Sequence, residues 1–295
     1  RQAYGSDPHL GLHLVRTRPD DCRHDVFGRM RGSVALPSAA SQRRYSWVAV
    51  GKGDVRIRTP ERERTLTPTD VPVRDAATVI LVRDTGTTPR ILMGQRGAKA
   101  AFMPNKFVFP GGAVDTAAHH VPLATTLAAP NTDRLSEDST PSLVPALAVA
   151  AIRELFEETG QVLGTPGAWA APPTDWHGFA ATGHLPHAEP LQFVFRALTP
   201  PGRPRRFDAR FFLIDADDLA SDPDDFSAAS DELSHLQWVG LSEVRSFDMP
   251  FITEVVLSEI AARVQDRTPP ASVPYFRNDD EESLFLRLRG TPMPD

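Results

Sequence analysis

Glu154, Glu157 and Glu158 stand at i, i+3 and i+4 in the run Arg153-Glu154-Leu155-Phe156-Glu157-Glu158-Thr159-Gly160. On a helix that spacing gathers three carboxylates along one side, where like charges repel unless a cation holds them. Magnesium suits such a site, because it takes a few hard carboxylate oxygens and leaves its other positions to water and phosphate. The implied chemistry is phosphate chemistry. The same run on an amphipathic helix also fits a solvated face, so its company matters. Upstream, Lys106-Phe107-Val108-Phe109-Pro110-Gly111-Gly112 reads as a short strand entering a glycine turn. Bare backbone there can approach a pyrophosphate closely.

The elements that must hold these residues are legible from pattern. Gly160 ends a helix over 145–159, since glycine tolerates the left-handed conformation common at that position. Pro145 fits the first turn, with Ser142 or Thr140 as caps upstream. Ala148, Ile152, Leu155 and Phe156 recur at helical spacing as the buried stripe. Strands are expected at 76–82, 90–95, 107–109, 191–197, 206–214 and 236–239, and an amphipathic helix over 251–264. No internal repeat is visible. Mixed strands with helices on both faces make an α/β protein.

Together the glycine turn and the acidic helix resemble the Nudix box: Gly, five residues, Glu, seven residues, then Arg-Glu-apolar-x-Glu-Glu-x-Gly-apolar. The resemblance implies the Nudix α/β/α sandwich with a mixed sheet. It also implies a metal-dependent hydrolase (Mg2+ or Mn2+) of nucleoside diphosphates linked to another group. In the family pattern the glycine precedes the arginine by 14 positions; here 41 separate Gly112 from Arg153, an insertion of 27 that splits the motif. The first glutamate of the pattern is missing, and Asp115 is the candidate to pair with Arg153 in its place. Gln161 stands where an apolar residue usually follows the glycine.

By this resemblance Glu154, Glu157 and Glu158 hold the metal and Arg153 orients them. Gly111 and Gly112 line the substrate. Many members add a distal acid, for which Glu232 is the candidate and Asp231 the alternative. Arg96 and Lys99 are candidates for neutralising substrate phosphate. Arg206-Phe207-Asp208-Ala209-Arg210-Phe211-Phe212 is similar to a strand of the peroxisomal coenzyme A diphosphatase group, as are Leu92-Met93-Gly94-Gln95-Arg96 and Phe102-Met103-Pro104. That group's stricter signature expects a further arginine and glycine where Lys99 and Asn105 stand. The implied reaction is cleavage of a pyrophosphate bond, with coenzyme A or an acyl-coenzyme A as leading substrate. ADP-ribose or a dinucleotide is the alternative, and a nucleotide sensor without turnover is a reading of another class.

The chain has 295 residues, 41% of them hydrophobic, enough for one sizeable core. One cysteine, Cys22, allows no internal disulfide and suggests a reducing cytoplasm. The lack of an 18-residue apolar run or a signal-peptide core suggests a soluble protein without a membrane partner. Residues 1–75 hold 14 Lys and Arg against 9 Asp and Glu, the remainder 18 against 29. Without a compact basic block or many aromatics, the basic arm does not point to nucleic acid. The expected partner is a small nucleotide; a homodimer is left open. The organisation expected is a poorly ordered extension over 1–70, a hydrolase domain over 71–268 and a tail over 269–295. The insertion, about 116–142, shows little periodicity and reads as a candidate substrate lid, with His119 and His120 as solvated residues. Trp176 falls in a Pro-rich loop and is expected to pack that loop to the domain, stacking of an adenine being the alternative.

Overall fold

The protein is described from a computed structural model covering residues 71–100, 102–266, 268–278 and 283–290, with three short strands upstream. In chain order the strands are β1 (Arg31–Val34), β2 (Tyr45–Ala49), β3 (Val55–Arg58), β4 (Val73–Arg83), β5 (Arg90–Arg96), β6 (Phe107–Val108) and β7 (Gly111–Ala113). They continue as β8 (Gly164–Pro166), β9 (His184–Pro186), β10 (Gln192–Leu198), β11 (Arg206–Asp215), β12 (Leu233–Gly240), β13 (Val273–Asn278) and β14 (Ser283–Leu288). The helices are α1 (Ala129–Leu135), α2 (Leu143–Thr159), α3 (His177–Ala181) and α4 (Phe251–Ile260).

A mixed sheet runs in the order β1-β2-β3-β14-β13-β10-β11-β4-β5-β12, with β6 on β5 and β7 on β4. β11 pairs with β4 in parallel and β13 with β10 likewise, while the remaining pairs are antiparallel. β4 is apolar almost without interruption from Ala76 to Val82 because both its faces are covered. Ala77, Val79 and Leu81 face the core that α2 fills, whereas Ile80 and Val82 face the core filled by α4. The layers are helix, sheet, helix.

The six strands read from the sequence and the two long helices are present, with small shifts at their ends. α2 begins at Leu143, and α4 stops at Ile260, beyond which the chain turns instead of staying helical to Val264. Gly160 has φ 76° and its amide donates to the Phe156 carbonyl at 2.7 Å, closing α2. Two larger differences concern the flanks. Residues 269–295, expected as a tail, supply β13 and β14, whose Val273, Tyr275 and Leu288 are buried against the α2-side core. Within 1–70, β1 to β3 pair in sequence and β3 joins β14; the rest of that expected extension lies outside the described residues.

The segment 116–142, read as a candidate lid of little periodicity, contributes to the core of the domain. Val121, Leu127 and Leu135 are buried in the α2-side core. Polar stitches hold the segment at three places. The Thr125 hydroxyl meets His187 Nδ1 at 2.7 Å and accepts from the Ala188 amide. Asn131, buried in α1, donates through Nδ2 to the Leu191 carbonyl at 3.0 Å and accepts from the Phe193 amide at 3.1 Å. Arg196 donates to the carbonyls of Glu137 and Asp138. A segment anchored this way is part of the domain. Its helix α1 was hidden in the sequence because a side-chain amide docks it, not an apolar stripe.

Arg196 belongs to a buried polar cluster below this segment. Its guanidinium grips Asp208 in a fork, Nε to Oδ1 at 2.9 Å and Nη2 to Oδ2 at 2.7 Å, and lies 4.3 Å over the Tyr275 ring. Arg210, equally buried, reaches Asp75 and the Asp208 carbonyl. Burial opposes the Arg196 charge, but Asp208 more than offsets it and raises the pKa.

Candidate active site

β7 delivers the glycine turn beside β4, with Gly111 opposite Thr78 and Gly112 opposite Ala77. The last two turns of α2 lie against it. Gly111 donates its amide to Glu158 Oε2 at 2.7 Å, and a Cβ on Gly112 would overlap the Glu154 carboxylate. Gly111 itself is hemmed in, since a Cβ there would come within 2.5 Å of the Ala77 carbonyl oxygen. The two glycines therefore let the strand backbone and the helix carboxylates approach each other closely.

Arg153 lies among the acids. Nη2 donates to Glu154 Oε1 at 2.6 Å and to the Ala113 carbonyl at 3.2 Å, and Nη1 donates to Glu157 Oε2 at 2.6 Å. Its Nε is 3.4 Å from Asp115 Oδ2, the pairing anticipated for the missing family glutamate. Burial works against the Arg153 charge, and Glu154, Glu157 and Asp115 more than restore it, so its pKa is raised. The carboxylates fare worse. Burial, only partly offset by Arg153, pushes Glu154 up to about 7. Glu157 is raised by burial against the same guanidinium. Glu158 is raised well above the carboxylate range, by burial first and then by the charge of Glu154. Its Oε1 is buried with no hydrogen-bond partner.

Glu232 approaches from the segment before β12. Its Oε1 accepts from Arg96 Nη2 at 3.1 Å at the end of β5, and its charge contributes to raising both Glu154 and Glu158. Arg96 lowers the Glu158 pKa and so lies within electrostatic reach of the helix acids. Lys99 is exposed in the turn beyond β5, and among the described residues no contact links it to the carboxylates.

No family model matches the chain. A curated Caenorhabditis elegans protein named "Putative nudix hydrolase 7" is 32% identical over 179 residues, covering 56% of this chain and 51% of its own length. The chain thus spans about half the length of the curated relative it matches. The crystal structure of a Nudix hydrolase from Alicyclobacillus acidocaldarius superposes with a TM-score of 0.50 at 24% identity, covering 67% of this chain and 95% of that one. The fold is the Nudix fold. A MutT protein from Methanosarcina mazei Go1 covers 65% of the chain and 96% of its own at a TM-score of 0.39 and 14% identity.

Set on the Nudix fold, Arg153, Glu154, Glu157, Glu158, Gly111, Gly112, Arg96 and Glu232 come together at one end of α2, while Lys99 stays apart. The motif that carried the finer resemblance is used structurally in part: Asp208 pairs with Arg196, and Phe211 and Phe212 enter the two cores. Phe207 meets Phe102 edge-to-face at 5.6 Å, joining two of the runs on which that resemblance rests. Trp176 and Phe179 are buried against Trp169 and Phe156, so they pack their loop to the domain.

Among the described residues no three of His, Cys, Asp and Glu form a ready-made cage for a metal ion. The reason is visible in the bonding. The Arg153 guanidinium draws Glu154 and Glu157 to itself, and Glu158 is turned onto the Gly111 amide. The unpartnered Glu158 Oε1 and the raised acids nevertheless mark a deficit of positive charge that a hard divalent cation fits. Among the described residues no helix is long and apolar enough to cross a membrane.

Proposed function

We propose that the protein is a divalent-metal-dependent pyrophosphohydrolase acting on a nucleoside diphosphate derivative, with coenzyme A or an acyl-coenzyme A as the leading substrate. The observation that carries this reading is the partnerless Oε1 of buried Glu158 beside Glu154, on a helix end pressed against a glycine turn. Leaving buried carboxylates undercompensated is costly, and the arrangement is sensible where a cation and an anionic substrate arrive together.

Glu154, Glu157 and Glu158 would hold magnesium or manganese, and the bound ion would neutralise the diphosphate and make its water a stronger nucleophile. Arg153 fixes the directions of Glu154 and Glu157 through charge-assisted bonds from a planar fork. Glu232, whose Oε1 accepts from Arg96, serves as the distal acid that accepts a proton from the attacking water. With Arg96 so engaged, Lys99 is the more available cation for a substrate phosphate. The coenzyme A assignment is supported by the likeness of residues 92–104 and 206–212 to the coenzyme A diphosphatase group.

The test is magnesium-dependent turnover across coenzyme A, acyl-coenzyme A, ADP-ribose and NADH. Coenzyme A should give 3′,5′-adenosine diphosphate and 4′-phosphopantetheine. Faster turnover of ADP-ribose or NADH would overturn the substrate assignment. Tight binding without product under either metal would replace the hydrolase with a sensor.

A further inference from the structure

The residue after Gly160 departs from the apolar pattern, and its surroundings explain what it does. Gln161 is fully buried, and both polar atoms of its side chain are satisfied by a strap over residues 220–232. Nε2 donates to the carbonyls of Asp222 at 3.2 Å and Asp225 at 2.8 Å, and Oε1 accepts from the Ser221 hydroxyl at 2.8 Å. The same hydroxyl accepts from the Val162 amide at 2.9 Å. Backbone bonds flank this knot, Ala220 to the Val162 carbonyl and Ser230 to the Glu157 carbonyl, each at 2.8 Å. A Cβ on Gly160 would press on Ala228 and Ala229, so the strap lies directly on the helix end.

The far side of the strap is held as well. Arg83 pairs with Asp224 and lies 4.4 Å over Trp238, whose indole nitrogen donates to the Pro223 carbonyl. Two residues beyond Ser230 the strap ends in Glu232, reaching Arg96 beside the helix carboxylates. Glu232 is itself more than half exposed and its bond to Arg96 is a weak surface pair. The acid is thus placed mainly by the backbone that carries it, and Gln161 is the buried group that sets this backbone on α2.

We propose that Gln161 is a positioning residue, which couples the C-terminus of the helix bearing Glu154, Glu157 and Glu158 to the strap that presents Glu232, and so sets the distance between the two halves of the active site. The catalytic part of this inference rests on the hydrolase reading above; the coupling itself does not. An apolar residue of similar size would fill the volume but leave the Asp225 carbonyl and the Ser221 hydroxyl proton without the partner Gln161 gives them, and the Asp222 carbonyl with one bond fewer.

The experiment uses the full chain with Gln161→Met, Ser221→Ala as a milder probe, Glu232→Gln, and the double variant Gln161→Met with Glu232→Gln. Hydrogen exchange should quicken at the amides of 220–230 in Gln161→Met and Ser221→Ala, with the centre of α2 as protected as in the wild type. Turnover should fall about tenfold to a hundredfold in kcat, because a misplaced group costs rate out of proportion to its displacement. The magnesium and substrate concentrations for half-maximal rate should stay within about twofold. In the Glu232→Gln background the second substitution should cost less than about twofold, since the group it positions is gone. Additive losses in the cycle, or unchanged exchange in the strap, overturn the proposal. An inactive wild type overturns the hydrolase reading and with it the catalytic role, while the exchange data still decide whether Gln161 holds the strap.

Discussion

Two partly buried clusters of charge lie in this domain, and they are built on opposite terms. In the sheet cluster, Arg196 and Arg210 face Asp208 and Asp75, two cations against two anions, with a bidentate grip at its centre. At the end of α2, two guanidiniums are set against five acids: Arg153 against Glu154, Glu157 and Asp115, and Arg96 against Glu232 and, through its charge, Glu158. In the first cluster burial still holds the Arg210 pKa down, but no buried side-chain nitrogen or oxygen of its four members lacks a hydrogen-bond partner. The second keeps Glu158 Oε1 without a partner and holds the three helix glutamates above their ordinary pKa range. Mutual pairing suits a structural role, and the undercompensated acids fit the cation site proposed above.

The sharpest way to break this contrast is to neutralise one member of each cluster. Glu158→Gln and Glu157→Gln should each lower kcat by about three decades, on the order of 4 kcal/mol, while urea unfolding of the metal-free protein shows no loss of stability. For Glu158 the substitution removes a buried charge, and the remaining amide oxygen can still accept from Gly111. Wild-type turnover in both variants would exclude these acids from the chemistry. Arg196→Met should do the opposite. It removes the bidentate partner of Asp208, leaving only Arg210 3.4 Å from Oδ2, and costs about 3 kcal/mol by urea unfolding, with kcat of the remaining folded enzyme near normal. An unchanged unfolding midpoint would show that the pair is not structural.

Metal titration sharpens the same contrast. Magnesium at a hundred times its Kd should stabilise the wild type by about 2.7 kcal/mol, read as a rise in Tm. That rise should be lost in Glu158→Gln and kept in Arg196→Met, and equal shifts in all three would point to a cation site elsewhere. The smallest effect is expected from Gly112→Ala. Its methyl group would displace the Glu154 carboxylate, and kcat should drop about tenfold, or about 1.4 kcal/mol, with little change in stability. Full activity in this variant would show that the close approach of turn and helix is dispensable.

Much of the site was legible in the sequence because its elements are local. Three glutamates at helical spacing, an arginine before them and a glycine at each end need only the geometry of a turn and a helix to be read. Asp115 was found by the same proximity. Distance along the chain hid the rest. Asn131 works by imitating a backbone partner for β10, which no periodicity reveals. Asp208 and Arg196 lie on neighbouring strands and look like exposed charges until their pairing is known. Gln161 was visible as a departure from pattern, but its partners come from a strap far downstream. β13 and β14 were hidden for want of a strong alternating pattern; their burial depends on β10 and β3 as neighbours.

The pairing of β3 with β14 bears on how the chain folds. Ser283 meets Ile57 across this ladder, so most of the chain must be synthesised before the pairing can form. Closing contacts of such long range is slow, because the entropy of the intervening loop is lost before the contacts stabilise anything. During translation the β1 to β3 meander has no sheet to join, whereas β4 and β5 can pair as soon as both have emerged. The domain around the acidic helix can therefore assemble first, with the outer strands added last by the arrival of β14.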